Sequence, residues 1–238
     1  MATLFDIDDP RLAAVAWSRL AEPGDLLAGT LVTHLGVSGA LHWVIGESAE
    51  HLENLPLSLA GGGAMAQLRQ AAARWAAALC DLNPRADLTA GEALGARLVL
   101  PMDKEWPPQI QDLGAAAPHA LWVLGCQDLA ALSARAVSLV GSRAATSYGE
   151  HVTGDLAAGL CDRGYTVVSG GAYGIDAAAH RAALVSQGAT IAFMAGGLER
   201  LYPPGNNALL RAVVESGRGS IVSEVPPGAV PFRSRFIA

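Results

Sequence analysis

The chain has 238 residues, 51% hydrophobic and 16% charged, with a net charge of −6. That balance excludes a disordered polyelectrolyte and leaves enough apolar material for one large domain, or a standard domain with a small companion. It also excludes an extended basic surface for nucleic acid, because Lys and Arg neutralising phosphates supply most such affinity.

Residues 1–80 lack strand alternation and read as short helices at about 10–20 (Leu12, Val15, Ala16, Leu20), 23–34 and 38–46, then a longer one at 64–80. The last puts Leu68, Ala72, Trp75, Ala76 and Leu79 on one face. Gly61-Gly62-Gly63 and Asn83-Pro84 bracket it as breakers. Nothing at the N-terminus resembles a signal peptide and no run of about 18 apolar residues occurs, so the expectation is a cytoplasmic protein with no membrane partner. Cys80, Cys126 and Cys161 have no C-x-x-C spacing and read as buried small hydrophobes in a reducing compartment.

Two short strands, 97–101 and 121–125, flank a proline-rich connection at Trp106-Pro107-Pro108. From 136 the pattern turns regular: strand 137–140, helix 148–163, strand 165–169, helix 175–186, strand 190–194, a helix capped at Asn206 that buries Leu209, Leu210, Val213 and Val214, and strand 220–223. This alternation predicts an α/β fold with a parallel, doubly wound sheet and right-handed crossovers. The domains are expected at 1–85 (helical) and 96–238 (the sheet).

Each parallel strand ends in small residues: Gly141-Ser142, Ser169-Gly170-Gly171, Gly196-Gly197 and Ser223. Parallel strands end at a common edge, so these motifs converge on one crevice, where helix N-termini and backbone N–H groups favour anions. Arg143 stands at its mouth, suited to a bidentate phosphate contact. Gly170 and Gly171 fit both a tight turn and close backbone approach by a ligand. Asn206 reads equally as a helix cap or as an amide facing the ligand, and Tyr173 and Tyr202 as packing elements or as platforms for bases. Asp176 and His180, at i, i+4, read as a helix cap and a pocket wall rather than an acid–base pair, since no nucleophile accompanies them.

The six histidines form no H-E-x-x-H, and neither a P-loop nor G-x-G-x-x-G is present. No metal, cofactor or catalysis is expected. Residues 1–134 carry 7 Lys or Arg against 15 Asp or Glu, while 135–238 carry 9 against 7, all nine being arginine. A local basic groove is therefore compatible with the overall charge.

The same blocks resemble the DprA/SMF family of DNA-processing proteins. Its V-G-S/T-R-x-x-S-x-Y-G is matched by Val140-Gly141-Ser142-Arg143 with Ser147, Tyr148 and Gly149. Its S-G-x-A-x-G-I-D-x-x-A-H is matched by Ser169-Gly170, Ala172, Gly174-Ile175-Asp176 and Ala179-His180. Gly197-Leu198-Glu199, Tyr202-Pro203, Asn206 and Leu209 follow the family's next block, and Ser223-Glu224 with Pro226 its S-E-x-P.

The resemblance implies an extended Rossmann-like core behind a SAM-like or helix-hairpin-helix-like N-terminal domain. It implies binding of single-stranded DNA by Gly141, Ser142, Arg143, Ser169, Gly170, Gly171, Tyr173 and Asn206, protection of incoming strands in natural transformation, and loading of the RecA recombinase. The sequence stops at Arg235-Phe236-Ile237-Ala238, just short of the family's Arg-Asn-Arg triplet. A fragment is therefore expected, with part of the DNA surface missing and any homodimer weakened. The alternative function is a nucleotide phosphoribohydrolase-like enzyme on a related fold, whose P-G-G-x-G-T-x-x-E signature has no counterpart after Gly196-Gly197.

Overall fold

The computed structural model describes residues 3–46, 62–125 and 128–230. Cys126, Arg233, Arg235 and Phe236 lie outside the described residues. Two compact units emerge, one from Met1–Ala90 with Ile110–Ala120 and the other from Gly91–Gln109 with Leu121–Ile237.

The first unit is helical. In α1 (Pro10–Leu20), the Asp9 carboxylate accepts the Arg11 and Leu12 N–H groups, and Pro10 sits at the first turn, where a missing N–H is harmless. Asp25 caps α2 (Leu26–Val44) in the same way, and Gly36, at φ 71°, breaks that helix. The break explains why the sequence reads as two segments there. From α3 (Gly62–Leu79), Leu68, Trp75 and Leu79 enter a core shared with Leu12, Trp17, Leu31 and Leu41. Trp17 meets Trp75 edge-on at 5.2 Å and donates its indole N–H to the Val37 carbonyl at 2.9 Å. His119 packs on Trp17, and burial lowers its pKa to about 4 against the opposing pull of Asp25. Between the breakers and the first strand lies α4 (Pro84–Ala93), where Asn83 Oδ1 accepts the Ala86 N–H and Pro84 starts the helix. Cys80 is half-buried rather than fully buried, as is Cys161 in the second unit.

The second unit is built on a six-stranded sheet of order β1-β2-β6-β5-β4-β3. Strands β1 (Arg97–Val99) and β2 (Leu121–Gly125) pair antiparallel, and β2 pairs antiparallel with β6 (Gly219–Ser223), Trp122 facing Ser223. After the short α5 (Leu129–Ser133), β3 (Ala136–Ser138), β4 (Thr166–Ser169), β5 (Thr190–Met194) and β6 run parallel. They lie side by side in chain order, so right-handed crossovers carry their connecting helices to one face. These are α6 (Ser147–Asp162), α7 (Ile175–Val185) and α8 (Asn207–Glu215); α6 packs on α7, and α7 on α8. Beneath them Ala157, Val167, Ala179 and Ala183 are buried, with Leu139, Leu160 and Cys161 against them. The abundance of alanine lets helix and sheet approach closely. In α8 only Leu210 and Val213 are fully buried, while Leu209 and Val214 are half-covered.

Candidate nucleic-acid interface

The loops after β3, β4, β5 and β6 share the edge where the parallel strands end, and helix α7 begins between the first two. The first loop is fastened to that helix. The Ser142 carbonyl accepts the Ile175 N–H at 3.2 Å, and the Ser142 hydroxyl accepts the Ala144 N–H at 3.2 Å. Gly174, at φ +74°, lies where a Cβ would strike the Ser142 and Arg143 carbonyls, and a Cβ on Gly141 would strike Ile175. Side chains are excluded on both sides of this junction. Gly141, Ser142 and Arg143 remain exposed.

The second loop is held by side chains from three directions. The Gly170 carbonyl accepts His180 Nε2 at 2.7 Å, and the carbonyls of Gly171 and Ala172 accept Asn206 Nδ2 at 2.9 Å each. Asp176 Oδ2 accepts the Ala172 N–H at 3.3 Å. The Ser169 hydroxyl, 3% exposed, donates to the Leu139 carbonyl at 2.6 Å and ties this loop to the first. Three successive carbonyls are thus drawn inward. By contrast, no protein acceptor takes the N–H groups of Gly141, Ser142, Gly170, Gly171, Tyr173 or Gly174 among the described residues. N–H groups without a protein acceptor, beside the engaged carbonyls of Gly170, Gly171 and Ala172, present a positive local field, an arrangement that suits an anion.

Aromatic rings border the loop. Tyr173 and Tyr202 are 48% and 45% exposed, and the Tyr173 ring rests over Gly205, where a Cβ would meet its hydroxyl. The next two loops fasten one another, with the Ser223 hydroxyl near the Gly196 and Val225 carbonyls at 3.0 Å and the Gly197 N–H donating to the Ala229 carbonyl at 2.8 Å. Glu224 is half-buried there, and desolvation raises its pKa.

The sequence-predicted residues therefore divide by role. Gly141, Ser142, Arg143, Gly170, Gly171 and Tyr173 face the shared edge, whereas the side chains of Ser169 and Asn206 are committed to holding its loops. Asn206 makes no cap with its side chain, which the two carbonyls already occupy. Asp176 does not cap α7 either, because its carboxylate turns back to Ala172. His180 is wholly buried between Gly170 and Thr190, so its imidazole has no free face for proton transfer to a ligand. No group of three His, Cys, Asp or Glu able to hold a metal occurs among the described residues, and no described helix is long and apolar enough to cross a membrane. Sequence reasoning missed the parts played by Thr190 and Gly205. Thr190 carried a faint signal as a polar residue opening an apolar strand, and Gly205 as a second small residue after Pro203-Pro204.

Comparison with known proteins agrees with this architecture. The chain is 50% identical over 153 residues to a DNA processing protein DprA of Mycobacterium tuberculosis, covering 60% of this chain and 39% of that one. It is 38% identical over 139 residues to the protein Smf of Escherichia coli, covering 58% and 36%. The matches thus span under half the length of these relatives. The crystal structure of DprA from Streptococcus pneumoniae superimposes with a TM-score of 0.65 at 26% identity, covering 98% of this chain and 72% of that one, and the fold is Rossmann-like as in that protein. Residues 97–238 match the family described as DNA recombination-mediator protein A, and the chain belongs to that family.

Proposed function

We propose that the chain binds single-stranded DNA at the strand-end edge of its sheet and acts by holding and handing over the strand, without catalysing a reaction. The observation that carries this reading is the polarity of the 170–174 loop: its Gly170, Gly171 and Ala172 carbonyls are bonded inward, and the Gly170, Gly171, Tyr173 and Gly174 N–H groups have no protein acceptor among the described residues. Phosphate oxygens are the acceptors such groups suit, Arg143 stands on the adjoining loop, and Tyr173 and Tyr202 offer faces on which bases stack without sequence preference. In this reading Ser169 and Asn206 act through the loops they hold. Protection of the strand, transfer to a RecA-type recombinase and self-association belong to the same proposal, supported by membership of a recombination-mediator family.

Fluorescence anisotropy with single- and double-stranded oligonucleotides of equal length, titrated at several salt concentrations, tests it. Tighter binding of the single strand, weakening as salt rises, is expected. Equal affinity for duplex in low salt, or release of free base from nucleoside monophosphates by the same preparation, would overturn it.

A further inference from the structure

His180 is the only buried histidine of α7, and it spans from the sheet to the candidate interface: Nδ1 lies 2.8 Å from Thr190 Oγ1 on β5, and Nε2 lies 2.7 Å from the Gly170 carbonyl oxygen. A carbonyl oxygen only accepts, so Nε2 carries the proton of that bond. Burial disfavours the imidazolium and lowers the His180 pKa, the Gly170 bond and Asp176 opposing it. The ring is then neutral, and Nδ1 lies against the oxygen of the Thr190 hydroxyl, whose single proton goes to the Val167 carbonyl at 2.8 Å. The Gly170 carbonyl, an acceptor only, fixes the proton on Nε2, and that bond in turn fixes which way the carbonyl points.

We propose that His180 is a positioning residue for DNA binding: by holding the Gly170 carbonyl inward through Nε2–H, it keeps the loop N–H groups turned toward the phosphate. This rests on the DNA-binding reading above. A peptide plane is rigid, so turning the Gly170 carbonyl rotates the Gly171 N–H with it. The position leaves little slack, since a Cβ on Gly170 would come within 2.7 Å of Asp176 Oδ2 and one on Gly171 within 2.9 Å of the Tyr202 carbonyl. Without the imidazole, the Gly170 carbonyl is released to compete for the solvent face that the phosphate would use. The role does not involve the charge of His180, which sets it apart from Arg143.

The test compares His180→Leu, His180→Gln and Val123→Ala with the wild-type chain. Val123 is fully buried on β2, which β6 and β5 separate from β4, so its truncation destabilises the sheet without touching the loop. Each protein is titrated with labelled oligothymidylate by anisotropy at several salt concentrations, below its own melting range, and backbone amide exchange of 170–174 is followed without DNA. His180→Leu should weaken binding about tenfold with the salt slope unchanged, because neutral amides displace no counterions, and should speed exchange at 170–174. His180→Gln, whose amide can still donate to Gly170, should recover most of the affinity, and Val123→Ala should bind as the wild type does.

Binding by His180→Leu within twofold of wild type, no rescue by Gln, or an equal loss in Val123→Ala would overturn the proposal. Should the wild-type chain itself ignore the oligonucleotide, the DNA-binding reading falls and this proposal with it.

Discussion

Replacing Asn206 by Asp tests whether the interface depends on a single amide. The two side chains are nearly isosteric, so packing at this 3%-exposed position is preserved. What changes is the group facing the Gly171 and Ala172 carbonyls: an NH2 donating to both at 2.9 Å becomes an oxygen facing two oxygens. Each of these part-buried carbonyls loses a bond worth about 1 kcal/mol net, or ~1–3 kcal/mol where the acceptor is left unpaired. A loss of about 3 kcal/mol or more is expected, and Asn206→Asp should be worse than Asn206→Ala, which admits a water to the carbonyls. That order reverses what volume alone predicts. Urea unfolding at neutral pH gives the stabilities, and anisotropy with a single-stranded oligonucleotide gives the binding, which should fall with them. If Asp is tolerated within about 0.5 kcal/mol, or costs less than Ala, the reasoning about this amide is wrong.

Arg143→Ala should weaken single-strand binding by about 1–3 kcal/mol and lower the salt slope by about 0.7 while leaving Tm nearly unchanged, as for an exposed residue on a phosphate; normal binding or loss of folding refutes this. His119, at about 4 when folded against 6.5 in its ordinary state, takes its proton first in the unfolded chain. Stability should therefore be full above pH 6.5 and fall by up to about 3 kcal/mol as pH drops toward 4, a dependence that His119→Phe should flatten in urea midpoints measured across that range. Glu224 has the opposite sign: its folded pKa is raised, so its contribution is full below about pH 4.5 and is lost as pH rises through the folded value. Glu224→Gln should then raise Tm at pH 7 more than at pH 4, and an equal effect at both would refute it.

The sheet unit was legible because its punctuation is local. Thr190-Ile-Ala-Phe-Met194 stands between Gly188 and Gly196-Gly197, and β5 occupies those residues as expected. Asn83-Pro84 misled for a related reason. The pair does end one helix, but Asn also caps and Pro also opens the next, so α4 was hidden in what read as a break. The grouping of Ile110–Ala120 with the helical unit depends on tertiary packing, which no local pattern encodes. At the interface the glycines announced themselves, since close approach needs them whatever the ligand. The polar groups holding the loops did not: Asn206 reaches back across the chain to Gly171, and His180 is chosen by the carbonyl of Gly170, on the loop before its own helix. A hydrogen-bond partner is a fact of three dimensions, and Asn206 fitted both sequence readings equally because its true partners were invisible to either.

The side-by-side order of β3, β4, β5 and β6 also bears on how the chain folds. Val137 finds Val167, Val167 finds Thr190 and Thr190 finds Gly219, so each new strand docks on the one just made, with its helix between them. Trp122 must instead wait for Ser223. Closing that far longer loop costs about 1 kcal/mol more in chain entropy than any of the neighbouring closures, and nothing repays it until β6 is seated. The β1-β2 pair is thus expected to be the last layer to join and the first whose amides exchange with solvent, while the strand ends of the candidate interface belong to the part expected to assemble earliest.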